Sequence, residues 1–453
     1  MGIFGALTTA VAGLQAQSFA LENISGNIAN SQTTGFKRTD TSFQDLLMGG
    51  SFNPQRQTSG SVAAFSRATN DLQGALVNTS SATSIAVSGS GFFAVSAPKG
   101  VSDGLPVFDG VDAYTRRGDF QFDRNGYLVN GAGYYLKGVA LDPDSGNPVG
   151  SSQPIRLAKD FFPAAATTNI NYKLNLPNKP QTNNFEAGDP SSWLLDPGVG
   201  DTVAAQDSEA FLDSSIEGES VTVYDKKGQA YDLQMRWGKV SNGDPDATPP
   251  TEDTWALFYK SDNKATGTDT EWTRVDQDYT FGEDGKLTSP ANGKVTIDNL
   301  TIDGANLGDV QMTHGAGLTQ YGDTSGVAST TEITQDGAAS GQMVAVEISD
   351  GGVVTASYSN GKTRALFRVP LVDFNAPNQL SRLDGGAFAA TAGSGLAFSA
   401  ENGAIVGQTL EQSNVDIADE FTKLIVTQQA YSANTRVVST SDTMMQDTLN
   451  MIR

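Results

Sequence analysis

The sequence predicts a mainly β chain whose α-helices are confined to its two ends. The N- and C-terminal helices pair as a coiled coil, with two nested β-rich domains between them. Three observations predict this. Apolar residues recur every seven positions at both termini. Short β-forming runs alternate with Asp/Asn-Gly turn signals from about residue 85 to about residue 400. All 17 prolines lie between Pro54 and Pro377, so both ends are free of the residue that breaks helices.

Residues 1–30 form the first element. Leu7, Leu14, Leu21 and Ile28 are spaced by seven, with Phe4 and Val11 on the neighbouring track. Glu22 is the sole charge in this stretch, whereas an ordinary surface helix carries charge on its wet face. The helix is therefore expected to meet protein on several sides. Residues 31–75 are rich in Ser, Thr, Gln and Gly and show weak periodicity, which predicts an extended connector. Residues 401–411 are its return.

The middle reads as β throughout. "FDRNGYLV" (122–129), "YDKKGQAYDL" (224–233), "FGEDGKLT" (281–288) and "ISDGGVVTASYSNGK" (348–362) each set a turn pair between β-formers. Residues 158–330 are richest in Asp, Asn, Thr and Pro and read as an outer β domain. It is inserted into an inner one built from 76–157 and 331–400.

The tail, 412–453, is the second helix. Ile417, Leu424, Tyr431, Val438, Met445 and Ile452 fill six consecutive heptad positions, with Phe421 and Leu449 beside them. At 38% apolar content such a run arises by chance in some phase about 2% of the time. Ser413 followed by Asp416 resembles a capping box. Asp416, Asp419 and Glu420 load the first turn with negative charge and Arg453 closes the last, as the helix dipole favours. Thirty-eight residues of helix would span roughly 57 Å. The stripe at each end predicts that the two helices are brought together, with the β structure hung between them.

Charge and composition exclude several functions. Of the net −22, residues 1–75 carry 0 and residues 401–453 carry −4, which leaves −18 for the middle. This argues against nucleic acid or an anionic membrane surface as a partner. With no cysteine and one histidine (His314), thiolate metal sites, Cys nucleophiles and His-pair metal sites are absent. The N-terminus lacks a basic n-region, and no run reaches 18 consecutive apolar residues, so neither cleaved secretion nor membrane spanning is expected.

Catalytic readings fail on context. Gly89, Gly91 and Ala94 imitate a dinucleotide fingerprint, but "FFAV" continues as a strand where a helix N-terminus is required. "SNGKTR" (359–364) ends like a P-loop, yet position 356 is Ala and the setting is a hairpin. "DPDSGN" (142–147) and "NGDPD" (242–246) lack the glutamate of a calcium loop and read as solvated turns. His314 has no Ser/Asp constellation and reads as structural. No enzyme class, cofactor or metal is expected.

The residues then carry a resemblance. "NISGNIANSQTTGFKR" (23–38) is similar to the signature of bacterial flagellar axial proteins, the rod and hook subunits, through Asn27, Ile28, Ala29, Asn30, Gly35, Phe36 and Lys37. "SIAVSGSGFFAV" (84–95), with Gly91, Phe92 and Phe93, resembles that family's next block, as does "YTRRGDFQFDRNGYLVN" (114–130). The tail from Leu410 resembles its C-terminal block. The length, the acidic insert and "YSNGKTRALFRVPLVDFNAPNQLSRLDGGAF" (358–388) resemble the hook branch. The resemblance implies a homopolymer, a curved helical tube acting as a universal joint between rod and filament. It also implies contacts with distal rod, hook cap and hook–filament junction proteins. Export through the flagellar type III apparatus to the cell exterior, without a cleaved signal, follows from the same family. A distal rod subunit with an unusual insert is the nearest alternative. A secreted β-rich adhesin or carbohydrate-binding protein is the alternative of another class; it would use Trp193, Trp237, Trp255 and Trp272, all in the outer domain.

Overall fold

The computed structural model describes residues 3–47, 59–143, 145–157, 161–244, 246–248 and 251–451. The chain is mostly β, with a long helix at each end, as its periodicities predict. It divides into two compact units. One is Met1–Asp160 with Val344–Ser357 and Thr363–Arg453; the other is Phe161–Met343 with Tyr358–Lys362. The insert therefore runs past the boundary expected at 330. The reason is that Ser329–Gln335 pairs antiparallel with Asn169–Asn175 near the start of the insert.

In the first unit, α1 (Ile3–Ala29) is followed by β1 (Thr39–Leu47) and β2 (Ser59–Ala68). These two strands form an antiparallel ribbon, registered from Thr39 opposite Ala68, and the ribbon lies against α1. The segment expected as a connector thus holds regular structure. A two-stranded ribbon has no fully buried face, so its side chains do not alternate; Phe43 and Phe65 are both about half exposed.

β3 (Leu76–Asn78) pairs with Thr409–Glu411, and β4 (Ile85–Gly89) pairs with Gly403–Gly407. The outgoing chain and the returning chain are therefore zipped together. β5 (Phe92–Ser102) and β6 (Leu105–Thr115) make a hairpin whose turn residues Asp103 and Gly104 both have positive φ, as a two-residue loop of this hand demands. β5 also pairs with Tyr135–Leu141 and Leu371–Asp373. An aromatic core of Phe92, Tyr114, Phe374 and Phe388 fills the space beneath, its rings meeting edge to face.

The second unit contains a five-stranded and a six-stranded sheet, with the short helix α2 (Ser208–Asp213) beside the latter. Burial alternates along Asn169–Asn175 as period two requires. Residues of both sheets share one core that includes Tyr172, Trp237, Trp255, Tyr279, Leu300 and Val310. α3 (Ile417–Met451), which belongs to the first unit, closes the described chain.

Candidate assembly surface

α3 begins later than the sequence suggests. Asp416, not Ser413, caps it: its Oδ1 accepts from the N–H groups of Ala418 (2.8 Å) and Asp419 (3.2 Å). Residues 412–416 have no regular structure and bond to the root of the helices, Gln412 N–H to the Ala75 carbonyl and Asn414 N–H to the Phe36 carbonyl. The 35-residue helix is about 52 Å long. Arg453 and Ile452 lie outside the described residues.

α1 and α3 run antiparallel. Asn27 touches Glu420, and a Cβ on Gly13 would sit 2.9 Å from Nδ2 of Asn434, so the same offset holds two seven-residue repeats apart. The centre of the seam is small on one side and polar on the other. α1 buries Ala10, Gly13, Ala16, Ala20, Ile24 and Asn27; α3 buries Glu420, Thr427 and Ser441.

The apolar tracks flank this seam. Leu7, Leu14, Leu21 and Ile28 are half-buried, as are Leu424, Val438 and Met445. Val11, Ile417, Phe421, Tyr431 and Leu449 are exposed, Leu449 at 63%. On α3 the seam lies three residues from the stripe, on Glu420, Thr427, Asn434 and Ser441. Their seven-residue spacing is present in the sequence, but a search restricted to apolar residues passes over it. The physical cause is closeness of approach. Helices come nearest where side chains are small, and Gly13 leaves room for Asn434 where any larger residue would not.

A second stripe on α3 is also uncovered: Val426, Val437, Met444 and Met451 are exposed, the last three spaced by seven. The helix pair therefore leaves large apolar residues at the surface along both helices, an arrangement that calls for further protein.

The root of the pair is a polar knot. Asn27 is buried and uses its whole amide. Nδ2 donates to Glu420 (3.0 Å) and to the Thr39 carbonyl (3.0 Å), and Oδ1 accepts from Thr39 N–H (2.9 Å). Lys37 and Glu411 are fully buried with Nζ and Oε1 2.5 Å apart, and Nη1 of Arg116 lies 3.3 Å from the other carboxylate oxygen. Lys37 also donates to the Leu72 carbonyl, and Gly74 N–H donates to Glu411. Burial lowers the pKa of Lys37 and of Arg116, and Glu411 opposes the shift in both.

Asn414 completes the knot. It accepts from Arg38 N–H (2.7 Å), and its amide donates to the carbonyls of Thr69 (3.3 Å) and Leu72 (3.2 Å). Arg382 donates to the Lys37 carbonyl and lies over the Phe36 ring. Gly35 holds φ +67° with its α-carbon face against the Arg117 backbone, where a Cβ would come within 2.7 Å. Phe92 supports Arg116 from below, with 5.1 Å between guanidinium and ring centre. Phe93 packs edge-on against Phe120, and Gly91 packs on Leu371. Asn30 donates to the Gly26 carbonyl at the helix end, while Ile28 is half-buried and Ala29 is exposed. The motif residues Asn27, Gly35, Phe36 and Lys37 are thus brought together with Arg116, Arg382, Glu411 and Asn414. Sequence reasoning did not single out those last four, because pairs so distant in the chain carry no local signal.

His314 is buried in the second unit, with Nδ1 2.7 Å from the Tyr172 carbonyl and Nε2 3.2 Å from the Tyr279 hydroxyl. Burial pushes its pKa down to about 4. All four tryptophans are buried, so they offer no open aromatic platform for a sugar. Gly89 ends β4 and Gly91 immediately precedes β5, with no helix following. Among the described residues, no three His, Cys, Asp or Glu side chains are grouped as metal ligands, and no helix is long and apolar enough to cross a membrane.

Four family models match the chain in order. They are a flagella basal body rod protein model over residues 7–37 and a flagellar hook protein FlgE/F/G D1 domain over 86–173. A flagellar basal body protein FlaE D2 domain follows over 195–338, and a flagellar basal body rod FlgEFG protein C-terminal model over 406–451. The chain is 30% identical to a flagellar hook protein of Brucella suis over the full length of both. It is 29% identical to that of Salmonella typhimurium over 98% of both chains. Among solved structures, the crystal structure of a Helicobacter pylori flagellar hook protein shares the fold. The TM-score is 0.53 at 16% identity, covering 74% of this chain and all of that one.

Proposed function

The chain belongs to the flagellar hook protein family, and we propose that it polymerises by burying the apolar tracks of α1 and α3 against the same helices of neighbouring copies. It is a structural subunit of the flagellar hook, a self-assembled curved tube that works as a universal joint passing torque from rod to filament. The observation that carries the assembly reading is the mismatch between the two faces of each helix. Small and polar residues meet within the chain, while Val11, Phe421, Tyr431, Val437, Met444 and Leu449 remain exposed. Heterologous contacts of this kind do not close on themselves and generate open helical polymers.

The finer assignments rest on the same membership. The subunit acts mechanically and carries no catalytic role. It meets distal rod, cap and hook–filament junction proteins at its ends, passes through the flagellar type III export apparatus without a cleaved signal, and works outside the cell. The acidic, Gly-rich surface of the insert supports exchange of weak wet contacts as the joint bends. Electron microscopy of cells lacking the gene tests this reading: basal bodies with rods but no hooks are expected, and intact hooks would overturn it.

A further inference from the structure

The seam between α1 and α3 repeats itself. Asn27 faces Glu420 and Gly13 faces Asn434, and the same offset carried along the seven-residue spacing sets Ala20 opposite Thr427 and Ala6 opposite Ser441. Three of these four steps set a residue with little or no side chain against a short polar one. A slide of one heptad in either direction would again place small against polar over most of the seam, so packing alone distinguishes the registers weakly. The fourth step is different. Glu420 is buried and is met by Asn27 from α1 and by Lys423 from its own helix. After a slide it would face Ala20, which has no donor, or pass the end of α1.

We infer that the Asn27–Glu420 pair sets the register of the helix seam. Facing Ala20, Glu420 would keep Lys423 of its own helix but lose its donor from α1, and in the opposite slide Asn27 would exchange its carboxylate acceptor for Thr427, so each slipped alignment is penalised at this one step. Asn27 also exchanges two hydrogen bonds with the Thr39 backbone, and Lys423 lies 3.7 Å from Asp40, so the same pair references the seam to β1. The register is thereby tied to the ribbon as well as to the partner helix. This inference concerns alignment within one chain and stands whether or not the hook reading holds. Asn414 and Phe36 tether the helix roots as well, and the experiment separates the two contributions.

The chain has no cysteine, so introduced pairs report without background. Gly13→Cys with Asn434→Cys marks the native register. Ala6→Cys with Asn434→Cys, and Ala20→Cys with Asn434→Cys, mark the two slipped ones. Disulfide trapping is read in the full chain, in hooks where they assemble and in concentrated soluble protein, since trapping also captures transient pairing. In the otherwise unchanged chain the 13–434 bond should exceed either slipped bond by at least about tenfold. With Asn27→Ala and Glu420→Ala together, helix content by circular dichroism should persist while the slipped bonds rise at least about tenfold relative to 13–434. Glu420→Gln keeps an acceptor for Asn27 and should retain the native bond. A dominant 13–434 bond in the double-alanine chain would show that the root tether alone sets the register and would overturn the inference. So would loss of helix content in that chain, which would make the pair a stabiliser without a role in alignment.

Discussion

Nζ of Lys37 lies 2.5 Å from Oε1 of Glu411, and neither side chain reaches solvent. Lys37 stands just before the β1–β2 ribbon and Glu411 at the end of the strand that leads back toward α3. With Arg116 on the second oxygen, one buried anion holds two buried cations from separate parts of the fold. The pair joins the segment leaving α1 to the segment entering α3, at the point where both helices attach to the β structure.

Removing the anion should therefore do more damage than losing one salt bridge. Glu411→Ala leaves two desolvated cations uncompensated and is expected to destabilise the first unit by about 3–5 kcal/mol. Urea unfolding followed by far-ultraviolet circular dichroism measures this. Replacing Lys37, Arg116 and Glu411 together by Met, Leu and Met should cost much less, because no charge is then stranded.

Leu424→Asp places a charge on the half-buried track beside the seam, where a neighbouring copy is expected to pack. Polymerisation should be abolished while both β units stay folded. Negative-stain microscopy and circular dichroism on the same sample check the two halves of this statement, and normal polymers would refute it.

The first 30 and last 40 or so residues should be cleaved readily in dilute monomer and become protected on assembly. Their intrachain seam is small and polar and buries little apolar area, so it stabilises the pair weakly. Limited proteolysis with mass spectrometry, before and after polymerisation, reads the change. Full protection in dilute monomer would contradict it.

His314 makes the second unit acid-sensitive. Its pKa is about 4 in the fold, against 6.5 for an ordinary histidine. The unfolded chain therefore takes up the proton first as pH falls. Stability from this group is fully present above pH 6.5, is lost between about 6.5 and 4, and changes no further below that, for a total of about 3 kcal/mol. All four tryptophans lie in this unit, with the Trp237 ring 6.4 Å from His314, so tryptophan fluorescence during urea titration at several pH values reports it selectively. His314→Gln should flatten the dependence over that window.

Much of the architecture was legible locally. Terminal helices followed from heptad spacing without proline, and hairpins followed from Asp/Asn-Gly turns such as Asn125-Gly126, where the positive φ of Gly126 closes the loop between Gln121–Phe122 and Leu128–Val129. The ribbon at 39–68 was not legible as strands, because neither of its faces is fully buried and alternation therefore never develops. Asp416 displaced Ser413 as the helix cap because Gln412 and Asn414 are held by hydrogen bonds to Ala75, Phe36 and Arg38 outside the helix.

By itself, the sequence determined which segments become helix or strand, since periodicity and turn chemistry act over a few residues. It also determined, through four ordered blocks, the family to which the chain belongs. Which helix face turns inward was decided only by the tertiary structure. An apolar stripe states that a face will be covered without stating by what, and the face turned inward carries Gly13, against Asn434, and the small, buried Ala10, Ala16 and Ala20. The polar knot belongs to the tertiary structure too. Lys37 and Glu411 are 374 residues apart and Arg116 and Glu411 are 295 apart, so the partners of these charges exist only once the chain has folded back on itself.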